Sequence, residues 1–240
     1  GVAPERVVRI PNGLDLAEFS PLPPRGGFRS RHADRIGNAP IVAYLGQVSP
    51  RKGVDTLCAA FEGGGPAGSV LVVAGNDMGG MQAARRAADP RHVHFVGLLP
   101  GRERLELLAD ADVLVYATTA EVFGLVPFEG LLCGAPVIVA DDCGCGEIIS
   151  EAGAGLLVRY GDPSALRARV ETLLADRVAA RAMVARGRAY IGNFGSDIAS
   201  GGPPAPTCLV LVEPDGRARV VADDLHFPNG TVITPDGGTL

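Results

Sequence analysis

Between residues 41 and 176, apolar runs of strand length alternate with segments of helical period. The runs are 41-IVAYLG-46, 70-VLVVAG-75, 92-HVHFVG-97, 112-DVLVYA-117, 136-PVIVA-140 and 155-GLLV-158. They are continuous in Val, Ile and Leu rather than alternating with polar residues, which predicts strands buried on both faces of a parallel sheet. Between them lie 53-GVDTLCAAFE-62, 80-GMQAARRAA-88, 101-GRERLELLAD-110, 126-VPFEGLLC-133 and 146-GEIISEA-152, each patterned as a helix. Strand–helix–strand alternation of this kind predicts a doubly wound α/β domain. A further helix or pair of helices is expected over 163–187, with Asp162 as N-cap and Pro163 in the first turn.

After Gly187 the pattern changes. Short apolar alternations at 188-RAYIGNF-194, 208-CLVLVE-213 and 218-ARVVA-222 are separated by Gly201-Gly202-Pro203-Pro204, Pro214-Asp215-Gly216, Pro228-Asn229-Gly230 and Pro235-Asp236-Gly237. This predicts antiparallel β structure, about the content of one propeller blade. The domain reading is therefore 1–187 followed by 188–240.

Composition narrows the partners. The 240 residues are 47% hydrophobic and 20% charged, an ordinary globular balance. A net charge of −5 argues against a nucleic-acid-binding face, which needs a basic surface. No apolar run approaches the roughly 20 residues of a membrane span. The five cysteines, an odd number in apolar or Gly-rich surroundings, point to reduced thiols and a cytoplasmic setting. Cys143-Gly-Cys145 lacks a second pair at metal-site spacing and reads as a structural thiol pair. His92 and His94 share a strand face without a partner cluster, and read as surface or packed histidines. The chain starts at Gly1 and stops at Thr239-Leu240 just past a turn, so both ends are expected to continue into something longer.

Candidate chemistry gathers where strands end. Open α/β sheets bind ligands outside the carboxyl ends of their strands. The stretch 118-TTAEVFG-124 follows one such strand and leads into a helix with Pro127 in its first turn and Gly134 just past its end. Gly124 lets a ligand approach backbone N–H groups where the helix dipole favours an anion such as phosphate. Glu129 in the first turn is explained by that dipole alone, whereas Glu121 stands in the loop itself. A second such turn, 45-LGQVSPRKG-53, offers Gly46 as a tight exit and Arg51 and Lys52 as cations. A third, 141-DDCGCGE-147, has glycines that the turn itself can explain. Asp110-Ala-Asp112 has the spacing of a metal motif but reads as a helix end and a strand start.

These residues resemble the donor-binding half of retaining GT-B glycosyltransferases, the family-four type that includes sucrose- and glycogen-synthase-like enzymes. The matching pieces are 10-IPNGLDLAEFSP-21, 43-AYLGQVSPRKGVDTL-57, 72-VVAG-75, 95-FVG-97, 109-ADADVLVYATTAEVFGLVPFEG-130, 133-CGAPVIVA-140, 146-GEII-149 and 153-GAGLLV-158, over about residues 5–187. The specific element is the pair Glu121 and Glu129, eight positions apart around Phe123-Gly124. The resemblance implies a Rossmann-like doubly wound sheet holding a nucleotide-diphosphate sugar, with no cofactor and no metal. It implies that Glu121 lies by the donor sugar's hydroxyls and that Lys52 pairs with the diphosphate, these two carrying catalysis. It also implies that Glu129 accepts from the ribose hydroxyls and that the backbone of Phe123, Gly124 and Leu125 meets sugar and phosphates. Val96 and Gly97 would lie near the base, and Gly46 in the phosphate loop. The family usually has Arg directly after that glycine; here it is Gln47, which brings no charge, and Arg51 is a candidate substitute. An amino-terminal partner domain, absent here, would supply acceptor contacts and any peripheral membrane association, so this chain alone is expected to transfer little or no sugar to its unknown acceptor.

The tail is similar to gluconolactonase and senescence-marker-protein-30 propellers, through 187-GRAYIGNFGSDI-198, 207-TCLVLVEPDGRARVVADDL-225 and 227-FPNGTVITPDGGTL-240. That family implies a divalent-cation ligand at Asn229, although Pro-Asn-Gly explains it as a turn residue. The alternative readings are a metal-dependent lactonase-type fragment, a chimeric chain with its seam in 185-ARGRAYI-191, or an α/β module without catalytic function.

Overall fold

The computed structural model describes Leu14 and residues 16–121, 123–186, 189–192, 207–212 and 218–225. Packing divides the chain into two compact units, Pro21–Gly187 and a second formed by Gly1–Ser20 with Arg188–Leu240.

The larger unit is a parallel sheet of β1 (Ile41–Leu45), β2 (Val70–Ala74), β3 (Val93–Gly97), β4 (Val113–Tyr116), β5 (Val137–Ala140) and β6 (Gly155–Val158). Its order is β3-β2-β1-β4-β5-β6, the doubly wound arrangement in which direction reverses between β1 and β4. The three registers that involve β1 and β4 are parallel, from Ile41 beside Val70 to Tyr116 beside Val139. Each strand lies within a residue or two of its predicted run.

Two helical layers bury the sheet. On one face Val42, Tyr44, Leu71, Val73, Val113, Val115 and Ile138 pack with α3 (Val54–Ala59), α4 (Met81–Ala87), α8 (Pro163–Ala175) and α9 (Arg177–Arg186). The other face carries α5 (Arg102–Asp110) and α6 (Val126–Leu132), which lie against β1, β4 and β5, with α1 (Gly27–Arg31) beside α5. Two-sided cover explains why the strands read as unbroken apolar runs. The short helices α1 and α2 (Ala33–Ile36) have no clear period in the sequence, and Phe28 and Ile36 bury them from single positions.

Local signals set the boundaries. Asp162 caps α8 by accepting from the backbone N–H of Ala165 at 2.8 Å, with Pro163 following it. The 163–187 stretch is a pair of helices, broken at Asp176, whose φ of −118° and ψ of 83° are not helical. The helix α7 (Gly144–Glu151) begins two residues before the predicted start, because Cys143 is its extended N-cap. Cys143 and Cys145 are buried with their sulfurs 3.3 Å apart, and Cys143 Sγ lies 3.2 Å from the carbonyl of Ala140.

Asp110 and Asp112 fasten the amino end of the sheet. Asp112, 6% exposed, accepts from the backbone N–H of Ile41 at 2.8 Å and pairs with Arg25, Arg29 and Arg177. Asp110 accepts from the backbone N–H groups of Gly26 and Arg29. These acids are a structural tie at the end of the sheet opposite the predicted loops.

In the smaller unit, Leu16–Phe19 form a 3-10 turn, and β7 (Ala189–Gly192), β8 (Thr207–Val212) and β9 (Ala218–Leu225) form an antiparallel sheet in that order. Asn229 and the predicted turns around it lie outside the described residues. Among the described residues no helix is long and apolar enough to cross a membrane.

Candidate functional site

The carboxyl ends of β1 and β4 flank the reversal point of the strand order, and the two loops that leave them are stitched together. The β1 chain exits at Gly46 with φ 144°, a conformation that favours glycine. Its path is then fixed from below: Tyr44, 1% exposed, donates its hydroxyl to the Gln47 carbonyl at 2.7 Å. Val48 continues the contact by donating to the Asn76 carbonyl at 2.9 Å. A 3-10 turn, Pro50–Lys52, then carries both cations to Gly53, whose φ of 64° begins α3. A Cβ at Gly53 would lie 2.6 Å from the Ala117 carbonyl, so the first loop presses directly on the end of β4.

The loop after β4 answers those contacts. The Thr119 N–H donates to the Arg51 carbonyl at 2.9 Å and the Thr118 hydroxyl to the same oxygen at 3.1 Å. Ala120 takes φ 54°, one of two non-glycine residues with positive φ among those described. Left-handed backbone at an ordinary residue is uncommon and collects at ligand-contacting loops. It comes immediately before Glu121.

Glu121 is not an isolated acid. Its Oε2 accepts from the Lys52 ammonium and, at 3.1 Å, from the Tyr116 hydroxyl, whose oxygen accepts from Lys52 Nζ at 2.9 Å. The ammonium also stands 5.1 Å from the centre of the Tyr116 ring, within cation–π range. Burial, and then the Glu121 carboxylate, push the Tyr116 phenol far above its ordinary range. It stays protonated and donates. Lys52 and Glu121 are 18% and 23% exposed, so this charged cluster is reachable from solvent. Thr119 ties the loop onward by donating to Asp142 Oδ2 at 3.0 Å.

Gly124 lies buried above the same tyrosine. A Cβ there would meet Tyr116 Cε1 at 2.4 Å, so absence of a side chain is a matter of space. The Phe123 ring stacks on Phe128, centroids 5.2 Å apart, and Leu125 is the N-cap of α6. Glu129 lies in the first turn of α6 and faces Arg104 of α5, whose Nη1 donates to its Oε2 at 2.9 Å. These side chains are 14% and 21% exposed.

The structure thus brings together Gly46, Gln47, Arg51, Lys52, Glu121 and Gly124, with Phe123 and Leu125 on either side of Gly124 and Glu129 in the first turn of α6. Val96 and Gly97 share the carboxyl edge but end β3, the outermost strand, two positions from β1. Sequence reasoning missed Tyr116, Arg104 and Tyr44. Tyr116 and Tyr44 stand among Val, Ala and Leu, and a hydroxyl near the end of each buried strand was the available signal.

Comparison with known proteins gives the family and the fold. The family model described as glycosyl transferases group 1 matches residues 29–190. A D-inositol 3-phosphate glycosyltransferase from Segniliparus rotundus is 30% identical over 203 residues, covering 80% of this chain and 44% of that protein. A solved sucrose-phosphate synthase from Thermosynechococcus elongatus is similar at TM-score 0.60 and 30% identity, over 74% of this chain and 45% of that one. The solved C-terminal domain of a glycosyl transferase group 1 family protein from Francisella tularensis matches at TM-score 0.58 and 19% identity, over 72% of this chain and 93% of that domain. The chain therefore spans about half the length of the curated relatives it matches. By the match of its family model over residues 29–190 and by its relatives, the chain belongs to the glycosyl transferases group 1 family.

Proposed function

We propose that residues 1–187 are the donor-binding half of a retaining glycosyltransferase, holding a nucleoside-diphosphate sugar in the crevice between the β1 and β4 loops. The observation that carries this reading is the meeting of Lys52 and Glu121 at the point where strand order reverses. One reachable cation and one reachable carboxylate, held by a buried tyrosine, suit a ligand that joins phosphates to hydroxyls. In this reading Lys52 and Arg51 face the diphosphate, with Gly46 and Gln47 lining its loop. Glu121 accepts from the sugar hydroxyls and Glu129 from the ribose hydroxyls, while the backbone of Phe123, Gly124 and Leu125 passes along sugar and phosphates. Val96 and Gly97 border the base.

The chemistry follows from charge. As the glycosidic bond to the diphosphate breaks, negative charge grows on the leaving phosphate, and a fixed ammonium there lowers the barrier. Glu121 is the group that holds the sugar in register with that departure. The acceptor side belongs to an amino-terminal half, so this chain alone binds donor and transfers little or no sugar. A cytoplasmic setting and a propeller-like identity for residues 188–240 belong to the same proposal, the latter resting on sequence resemblance alone.

Calorimetry of the chain with UDP-glucose, GDP-mannose and ADP-glucose tests the reading. One of them is expected to bind, with Glu129→Ala weakening it about tenfold, the order of one lost charge-assisted hydrogen bond. No binding of any, or binding indifferent to Glu129, would overturn it.

A further inference from the structure

Glu121 touches the same ammonium that the donor reading gives to the diphosphate, and the two demands on it conflict. A carboxylate bonded to Lys52 partly neutralises the cation, and it stands where a phosphate oxygen would feel its repulsion. Its cost depends on what the phosphate carries. The terminal phosphate of a free nucleoside diphosphate has a second ionisation near pH 6, so at neutral pH it bears about one more negative charge than a phosphate esterified to sugar. The sugar-bearing donor also brings sugar hydroxyls that can donate to Glu121, whereas the free diphosphate keeps only its ribose hydroxyls, which the donor reading gives to Glu129.

We propose that Glu121, held against Lys52 by the Tyr116 hydroxyl, sets the discrimination between the sugar-bearing donor and the spent nucleoside diphosphate, favouring release of the product. The inference rests on the donor-site reading above. Tyr116 is the positioning residue. With Oε2 of Glu121 3.1 Å from its hydroxyl and Lys52 Nζ 2.9 Å from the same oxygen, it keeps carboxylate and ammonium in one place rather than letting the glutamate swing to solvent. Gly124 closes over the ring, and the 5% exposure of Tyr116 leaves it no other position. The tyrosine is kept protonated by burial beside the carboxylate, so the hydroxyl offers its proton to Glu121 across the working pH range.

The signature is a pair of opposite changes. Removing the charge at Glu121 should tighten the free diphosphate and loosen the donor, a combination that loss of structure does not produce, since damage weakens both. Calorimetry on the 240-residue chain uses UDP, GDP and ADP beside UDP-glucose, GDP-mannose and ADP-glucose. Wild type, Glu121→Gln, Tyr116→Phe and Lys52→Ala are compared with whichever nucleotide binds. Glu121→Gln is expected to bind the free diphosphate about tenfold tighter, or about 1.4 kcal/mol, with donor binding weakened. Tyr116→Phe, which keeps the ring, is expected to move both affinities the same way by a smaller factor. The gap between diphosphate and donor should also narrow below pH 6, where the terminal phosphate takes up its proton. If Lys52→Ala weakens wild-type binding but Glu121→Gln leaves the diphosphate unchanged or weaker, the discrimination role is overturned and the donor site stands. If nothing binds the wild type, both fall.

Discussion

Gly124→Ala is the smallest change that should break the site without touching a charge. Gly124 does not have a positive φ, so alanine can adopt its backbone conformation, and the cost is purely one of space. The added carbon would stand 2.4 Å from Tyr116 Cε1, 3.0 Å from Cζ and 3.1 Å from the hydroxyl oxygen. The ring cannot yield cheaply, because Lys52 and Glu121 hold its hydroxyl and the side chain is 5% exposed. Forcing one methyl into such packing costs about 1–3 kcal/mol. For a domain of this size each kcal/mol lowers the melting temperature by about 2–4 °C. The assay is denaturation followed by circular dichroism on Gly124→Ala, Tyr116→Leu and the double variant. Leucine empties the place of the ring, so the double variant should be less destabilised than the sum of the singles by about 1 kcal/mol or more. A melting temperature unchanged by Gly124→Ala, or strictly additive singles, would refute the claim that Tyr116 is what requires glycine at 124.

Three further outcomes follow from the structure. Asp112→Ala removes the acceptor for Ile41 and the partner of Arg25, Arg29 and Arg177, and urea denaturation should show a loss of about 1–3 kcal/mol, the cost of leaving the buried Ile41 N–H without an acceptor; a loss below 1 kcal/mol would place that network outside the fold's support. Arg104→Ala should cost about 1–2 kcal/mol, between exposed and buried ion pairs, measured the same way, and an unchanged urea midpoint would mean that α5 does not hold Glu129. Burial pushes the Cys58 thiol up to about 12, above its ordinary value of about 8.5 in an unfolded chain. A raised folded pKa gives stability that is whole below the unfolded value and is lost as pH rises toward the folded one. Wild type should therefore lose about 1.4 kcal/mol per pH unit above pH 9 through this thiol, and Cys58→Ala should remove that part of the slope; equal slopes would contradict the assignment.

The sheet was legible because its strands are buried on both faces, and α8 because a recognisable residue caps it. Val70–Ala74 and Val137–Ala140 read as unbroken apolar runs for that reason, and Asp162-Pro163 marked a helix start that the structure keeps. The short helices of residues 27–36 were not legible, since each is anchored by one buried side chain rather than by a period. In the candidate site, Lys52, Glu121, Gly124 and Glu129 stood out as charges or glycines at strand ends. Their partners did not. Arg104 is one of two arginines on an amphipathic helix, and Tyr116 is 5 residues from Glu121 but reaches it only because the loop turns through the left-handed Ala120. Local pattern names the residues that a ligand would meet, whereas the residues that hold them are set by tertiary contact.

The most direct test of a ligand site at the β1–β4 reversal is a backbone amide titration. Proton–nitrogen correlation spectra of the chain, recorded as the nucleoside diphosphate that binds is added, should show shifts at Gly46, Gly53, Thr119 and Gly124. Amides at the other end of the sheet, such as Gly37, Gly64 and Gly134, should stay in place. Shifts centred on that far end, or spread evenly over the unit, would contradict the assignment of the donor site to these two loops.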